Sequence, residues 1–177
     1  MNAPLMVGVT RHLVDREFAV LRFNFRGVGG STGVHGNGTA EIADVAAAVA
    51  TADAAYPEIP LSVAGWSFGA ATALAWAAAS GSKHAYAGIA PPVSSDLTAR
   101  LPAPDNLATA PRTFIIGDRD QLVSPRDLDR YTRSIGAKLE ILPGSDHFFY
   151  FREDRVAGIV ADALTAPEPA ERSDGVP

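Results

Sequence analysis

Residues 61–71 have the sequence LSVAGWSFGAA, and this stretch decides the fold. The apolar run at its start predicts a strand, and the alanine-rich segment after it predicts a helix over residues 68–79. A strand, a Gly-x-Ser-x-Gly turn and a helix in this order are typical of a nucleophile elbow, a tight turn that exposes a serine hydroxyl above a strand end. Strand and helix pass almost in contact there and leave no space for larger side chains. We therefore expect glycine to be required at Gly65 and Gly69, two residues before and two residues after Ser67.

A serine hydroxyl is a weak nucleophile at neutral pH and needs a base, usually a histidine. Two of the four histidines, His84 and His147, follow Ser67 in the chain. His84 precedes the apolar run 85–90, which places it at the amino-terminal end of a predicted strand. His147 follows the apolar run 138–142 and a turn, so it lies at the carboxyl ends of the strands, where open α/β sheets collect their chemistry. We therefore predict His147 as the base.

The base needs a carboxylate that fixes its tautomer. The predicted strand 112–116 ends in Gly-Asp-Arg-Asp, so Asp118 and Asp120 both follow its carboxyl end. Asp120 is favoured because it leads into the loop before the next helix. Asp118 remains the alternative, and its other possible role is to brace the turn through backbone N–H groups. Asp146 is adjacent to the histidine in sequence and is expected to brace its own loop.

Apolar runs and helical segments alternate along the rest of the chain. Strands are predicted at 18–25, 61–64, 85–90, 112–116 and 138–142. Helices are predicted at 3–16, 39–56, 68–79, 125–135 and 152–164. Regular alternation predicts an α/β fold, a three-layer α/β/α sandwich with a mostly parallel sheet. We expect one domain over residues 1–164 and a disordered tail at 165–177.

Composition narrows the classes of function. The chain has 177 residues, 47% hydrophobic content and a net charge of −5, which gives no electrostatic basis for nucleic-acid binding. It contains no cysteine, which excludes disulfides and thiolate metal sites. The apolar run near its start is too short for a signal peptide or a membrane span. We expect a cytoplasmic protein without membrane contact, and the preference for arginine and alanine indicates a bacterial genome.

The segment 26–38 is rich in glycine but does not match a dinucleotide-binding motif. Thr32 stands where the third glycine would be needed, and no helix follows directly. We expect a flexible turn that lines the site. His12 and His35 have no second ligand at metal spacing, so both are predicted as surface histidines. No metal or organic cofactor is expected.

Four segments carry a resemblance to a known family. They are 23–31 (FNFRGVGGS), 65–69 (GWSFG), 117–120 (GDRD) and 144–149 (GSDHFF). On these segments the chain resembles the serine α/β-hydrolase superfamily, and most of all its small bacterial dienelactone-hydrolase-like or esterase-like members without a large lid. The resemblance covers residues 1–164. It implies Ser67 as nucleophile, Asp120 as acid, His147 as base and the backbone N–H of Phe68 as an oxyanion donor.

The same resemblance implies that the N-terminal strands of the fold are missing. In the family, a second oxyanion donor comes from a loop ahead of the first helix. Here its nearest source would be the backbone around Asn2. We therefore expect Met1 to be an internal methionine of a longer natural chain, and we expect the present chain to be slower than that longer form.

Taken together, these features predict a serine hydrolase of esterase or acyl-hydrolase type that forms an acyl-enzyme with a small-molecule acyl substrate. Two alternatives stay open: a catalytically silent domain of the same fold acting as a binding or partner module, and cofactor-free perhydrolysis by the same triad. Trp66 and the aromatic run 148–150 either shape an acyl pocket or pack in the core. The loop 91–111 has room for at most one short helix, which predicts an open site.

Overall fold

The structure, a computed structural model, describes residues 3–165. Within that range the centre is a sheet of four parallel strands that lie side by side in chain order. The strands are β1 (Ser62–Trp66), β2 (Ala85–Ile89), β3 (Arg112–Gly117) and β4 (Lys138–Leu142). Gly65 of β1 pairs with Gly88 of β2, which in turn pairs with Phe114 of β3. β3 is buried along its whole length, as expected for a parallel strand that is covered on both faces.

Five α-helices of the described residues cover the two faces of the sheet. They are α1 (Pro4–Asp15), α2 (Ile42–Ala55), α3 (Phe68–Ser80), α4 (Pro125–Ser134) and α5 (Glu153–Leu164). Tyr86 and Phe114 pack with α3 and α4, whereas Ile89 and Ile115 pack with α1 and α5 on the opposite face. α2 packs against α3. The predicted three-layer α/β/α sandwich is confirmed.

The predicted strand at residues 18–25 is wrong. In the part of the chain that the structure describes, these residues form no strand, and the sheet begins at β1. Phe18 and Val20 still pack into the core beside α1 and α5, while Leu21 and Phe23 are 46% and 38% exposed. An apolar run favours extended, half-buried backbone, but a strand also needs a hydrogen-bonded neighbour, which the pattern does not specify.

The other predicted elements are present, with small differences at their ends. The largest is at α2, which begins at Ile42 because residues 37–41 form turns. The loop 91–111 holds one short 3-10 helix, Pro104–Asn106. The predicted tail lies outside the described residues apart from Thr165, which closes the last turn of α5. Among the helices that the structure describes, none has the length and apolar character needed to cross a membrane.

Candidate active site

The nucleophile elbow forms where β1 meets α3. Ser67 stands between them with φ +51° and ψ −117°, a conformation that non-glycine residues rarely adopt. Its N–H donates to the carbonyl of Ile89 at 2.7 Å, which ties the turn to β2. A Cβ added to Gly65 would lie 2.6 Å from the backbone nitrogen of Ala70. The close passage of strand and helix therefore requires glycine at position 65.

The same expectation for Gly69 is wrong. Outside its own helix, the nearest atom to a Cβ added there is Cε2 of Phe25 at 3.8 Å, an ordinary van der Waals distance. Position 69 already lies in α3, and its Cβ direction points toward that ring and away from β1. The tight packing of the elbow therefore rests on Gly65.

Three side chains from three loops form one hydrogen-bonded chain. The Nε2 atom of His147 lies 3.0 Å from Oγ of Ser67, and the Nδ1 atom lies 2.8 Å from Oδ2 of Asp120. The three residues follow β4, β1 and β3 respectively, so all stand at the carboxyl edge of the sheet. The side chains of His147 and Asp120 are 3% and 0% exposed, so water does not compete for the bond between them.

Asp120 is the carboxylate that reaches the histidine, and Asp118 is not. The other oxygen of Asp120, Oδ1, accepts the N–H groups of Leu122 and Val123, each at 2.8 Å. Burial alone would raise the pKa of Asp120, but the bond to His147 and the two N–H donors outweigh burial and hold the pKa below its ordinary value. An ionised carboxylate can only accept hydrogen bonds, so it fixes a proton on the facing Nδ1 atom.

Backbone contacts fix the loop after β4 to the end of β3. Oδ1 of Asp118 accepts the N–H of Gly144 at 2.7 Å, and the N–H of Arg119 donates to the carbonyl of Ser145 at 3.0 Å. A Cβ on Gly117 would overlap that same carbonyl. Asp118 therefore braces the turn, and the close approach at Gly117 is a feature that the sequence analysis missed.

Asp146 braces the chain just after the base, as expected. Its Oδ1 accepts the N–H groups of Phe148 and Phe149 at 2.9 and 3.0 Å. Phe149 has a φ of +54°, which is rare for a bulky side chain. The two hydrogen bonds and the full burial of the Phe149 ring stabilise this strained turn. The turn therefore fixes the position of His147.

The backbone N–H of Phe68 directly follows Ser67 in the chain. Phe68 is the first residue of α3, and the first N–H groups of a helix have no acceptor within the helix. The partial positive charge of the helix start also favours negative charge at this point. Asn2, the expected source of a second donor, lies outside the described residues.

Comparison with known proteins identifies the family. The family model described as serine aminopeptidase, S33, matches residues 4–96, which include the elbow and the glycine-rich segment. The chain belongs to this family. An uncharacterized protein of Rickettsia prowazekii (strain Madrid E) is 31% identical over 176 residues, and the match covers 93% of this chain and 72% of the relative.

Solved structures of α/β serine hydrolases superpose on most of this S33-family chain. A homologue from Coxiella burnetii has a TM-score of 0.80 at 26% identity, covering 93% of this chain and 78% of that one. A member without lid from Xanthomonas campestris has a TM-score of 0.79 at 28% identity, covering 97% and 77%. A Pyrococcus furiosus esterase, at 20% identity and a TM-score of 0.76, shares the fold and covers 90% and 75%.

Aromatic side chains surround the imidazole of His147 in this S33-family chain. Trp66 donates its Nε1–H to the carbonyl of His147 at 3.2 Å, and the two rings lie 5.7 Å apart. Phe148 packs edge-on against the imidazole at 5.6 Å and stacks on Tyr150 at 5.7 Å. Phe149, by contrast, is fully buried. The aromatic run is therefore divided, with one ring in the core and two at the rim of the site.

The glycine-rich segment of this family member is held in place by a buried carboxylate. Glu41 is 0% exposed and accepts the N–H groups of Gly36 at 2.6 Å and Gly38 at 2.9 Å. Its Oε1 also lies 2.9 Å from Nδ1 of His35. A Cβ on Gly38 would overlap the backbone of Ala99. The sequence analysis missed this role of Glu41, although an acidic residue between a glycine-rich loop and an apolar helix was a usable signal.

The remaining histidines lie in different surroundings. His84 precedes β2, at the opposite end of the strands from Ser67 and His147, and stacks on Trp76 at 6.2 Å. His12 was predicted as a surface residue, but it is half-buried because α1 packs into the core, and its Nε2 atom is buried without a hydrogen-bond partner. Among the described residues, no group of three or more His, Cys, Asp or Glu side chains could hold a metal ion.

Proposed function

We propose that this chain is a serine hydrolase of esterase or acyl-hydrolase type, with Ser67 as nucleophile, His147 as base and Asp120 as acid. The observation that carries the proposal is the hydrogen-bonded chain through the imidazole, with distances of 3.0 and 2.8 Å. A buried carboxylate and imidazole are costly to desolvate, and packing alone would be served better by apolar residues. Their alignment on a serine with strained backbone supports a catalytic role.

The first half of the proposed reaction forms an acyl-enzyme. Oγ of Ser67 attacks the carbonyl carbon of the substrate while Nε2 of His147 takes the hydroxyl proton. The carboxylate of Asp120 stabilises the imidazolium that forms. The carbonyl oxygen becomes an oxyanion and accepts the N–H of Phe68. His147 then returns its proton to the leaving alcohol, the carbon–oxygen bond to that alcohol breaks, and the acyl group remains on the serine.

The second half of the reaction repeats these steps with water. His147 removes a proton from a water molecule, whose oxygen attacks the acyl carbon, and the same N–H stabilises the second oxyanion. Collapse of this intermediate returns the proton to Ser67 and releases a carboxylic acid.

We propose small-molecule acyl esters as the substrate class. The Xanthomonas campestris relative is an α/β serine hydrolase without lid. Here the loop between β2 and β3 contains one short 3-10 helix, Pro104–Asn106, and the rim residues Phe148 and Tyr150 are 42% and 56% exposed. An uncovered site with an aromatic rim suits esters that approach directly from solvent.

The test compares the wild type with Ser67→Ala, using a fluorophosphonate probe and 4-nitrophenyl acetate. Only an activated serine reacts with the probe, so we expect labelling of the wild type and none of the variant. Turnover should fall by about 10⁶-fold, as for loss of a triad nucleophile. Ser134→Ala is the matched control, because Ser134 is an exposed residue of α4, and it should behave like the wild type.

The outcomes separate the three functions. A folded wild type that neither labels nor hydrolyses esters would refute the proposal in favour of a silent domain. Labelling that survives in Ser67→Ala would move the nucleophile to another serine. Formation of peracid from acetate and hydrogen peroxide, faster than ester hydrolysis, would replace the esterase by a perhydrolase.

A further inference from the structure

Two carboxylates at the start of α2 hold the glycine-rich segment 26–38 at both ends. Asp44 accepts the backbone N–H of Arg26 at 2.9 Å and the guanidinium of the same residue at 2.7 Å. Glu41, three residues earlier, accepts the N–H groups of Gly36 and Gly38. The segment is therefore closed into a fixed loop, although its glycine content alone would indicate flexibility.

This fixed loop carries a second pair of carboxylate and imidazole. Oε1 of Glu41 lies 2.9 Å from Nδ1 of His35, in the same relation as Asp120 to His147. Burial alone would raise the pKa of Glu41, but the backbone N–H groups that its carboxylate accepts outweigh burial and hold the pKa below its ordinary value. The ionised carboxylate can only accept, so Nδ1 of His35 carries a proton, and the neutral ring presents Nε2 as an acceptor.

The His35 side chain contacts the residue that follows the proposed nucleophile, and it is accessible to solvent. Its ring is 5.0 Å from the ring of Phe68, the residue that follows Ser67 directly. Its side chain is 47% exposed, while that of Glu41 is fully buried. Throughout the described residues, no protein group bonds Nε2 of His35.

The two imidazoles contact different neighbours of the nucleophile. His147 packs against Trp66 and Phe148, whereas His35 packs against Phe68. In the proposed reaction, the leaving alcohol must lie at Nε2 of His147, because that atom protonates it. The acyl substituent therefore extends in another direction. The oxyanion is held at the N–H of Phe68, the residue whose ring contacts His35, and we place the acyl carbon next to the carbonyl on this side of the elbow.

We propose that His35 contacts the acyl half of the substrate and accepts a hydrogen bond from an O–H or N–H group close to the reacting carbonyl. Glu41 is its positioning residue, since it fixes both the ring tautomer and the loop that carries the ring. This inference rests on the proposed function and adds a substrate class, namely esters whose acyl group bears a hydrogen-bond donor next to the carbonyl, such as 2-hydroxyacyl esters.

The test compares methyl lactate with methyl 2-methoxypropanoate at pH 8 by titration of the released acid. Both esters carry an oxygen at carbon 2, but only lactate has a donor there, and their alkaline hydrolysis rates correct for intrinsic reactivity. The wild type should prefer lactate in kcat/KM by roughly three- to tenfold beyond the intrinsic ratio, the net worth of one hydrogen bond. In His35→Ala the preference should fall to the intrinsic ratio.

Two further variants separate recognition from a structural role. His35→Gln places an amide oxygen near the position of Nε2 and should restore part of the lactate preference. His84→Ala, in the histidine stacked on Trp76 at the other end of the strands, should keep the full preference. Thermal unfolding of each variant shows whether the fold survives the change.

A wild type that hydrolyses both esters at their intrinsic ratio would overturn the inference and leave the proposed function standing. Retention of the preference in His35→Ala would do the same. A wild type that is folded, unlabelled by fluorophosphonate and inactive on every ester would overturn the proposed function, and the inference with it.

Discussion

Replacing Asp120 by asparagine tests the proposed triad at the carboxylate, both of whose oxygens take part in hydrogen bonds. Oδ1 accepts the N–H groups of Leu122 and Val123, and Oδ2 faces Nδ1 of His147. Asparagine has the same size, and its amide oxygen can keep both backbone bonds, which places its NH₂ group against Nδ1. The neutral imidazole must then accept at Nδ1 and carry its proton on Nε2, so it can no longer take the proton of Ser67.

The expected loss in kcat/KM for Asp120→Asn is about 10⁴-fold, the size found when a triad aspartate becomes asparagine. This corresponds to about 5.5 kcal/mol in activation free energy. Stability should also change with pH. Because the folded pKa of Asp120 lies below its ordinary value of 3.8, its ionisation stabilises the fold above that pH, and the gain is lost as the pH falls through the folded value. The variant should therefore unfold at a lower Tm than the wild type at pH 7, and the difference should shrink in acid.

Initial rates on 4-nitrophenyl acetate and thermal melts at pH 7 and pH 3 measure both effects. Asp118→Asn is the matched control, because its amide oxygen can still accept the N–H of Gly144. Because Asp118 is exposed and this bond is kept, the rate of the variant should stay within about threefold of the wild-type rate. A loss below tenfold in Asp120→Asn, or a larger loss in Asp118→Asn than in Asp120→Asn, would refute the assignment of the acid.

Three further predictions follow from the packing. Gly65→Ala should lower the free energy of unfolding by about 1–3 kcal/mol, since the added Cβ would press on backbone atoms. Gly69→Ala should be neutral or stabilising by up to about 1 kcal/mol, because alanine favours a helix more than glycine does. Urea unfolding of the two variants measures the difference. Phe148→Ala should reduce the preference for benzyl acetate over methyl acetate, measured as a ratio of kcat/KM, by about two- to tenfold through the lost ring contact. Phe151 is 95% exposed, so Phe151→Ala should leave that ratio unchanged. Asp44→Asn should lower the Tm at pH 7, because the guanidinium bonded to the carboxylate outweighs burial and holds the pKa of Asp44 below 3.8. At a pH below that folded pKa, the wild-type carboxyl group is neutral as well, so the variant and the wild type should have the same Tm.

Local patterns were sufficient to predict most of the fold. Apolar runs of strand length alternate with helical segments, and each parallel strand in such an order has its neighbour supplied by the next unit of the chain. β3, for example, contains the apolar run 114–116 and is buried along its whole length. The segment 18–25 has an equally apolar pattern, yet it lies beside the core without a paired strand. An apolar run favours burial, whereas pairing depends on which other backbone is adjacent, and a single run carries no information on that.

The positions of the site residues were predictable to the extent that they depend on strand ends. The elbow motif and the loops after β3 and β4 place Ser67, Asp120 and His147 at one edge, where the structure brings their side chains into contact. Their catalytic roles stay predictions. The pair of Glu41 and His35 was missed because it depends on how a glycine-rich loop folds back on the start of a helix, and glycine permits many such paths.

The openness of this site does not imply looseness, because its loops are bonded to one another. Trp66, immediately before the nucleophile, donates to the carbonyl of His147. The N–H of Ser67 is tied to β2, and the loop after β3 is tied to Ser145 in the loop after β4. A misplacement of about 1 Å among reacting groups can cost about 10²-fold in rate, so we expect the hydrogen bonds that fix these loops to support the rate of the proposed reaction. Although the described residues form no large cover, His147 lies within hydrogen-bond distance of both Ser67 and Asp120, because the loops that carry the three residues all leave the same edge of the sheet.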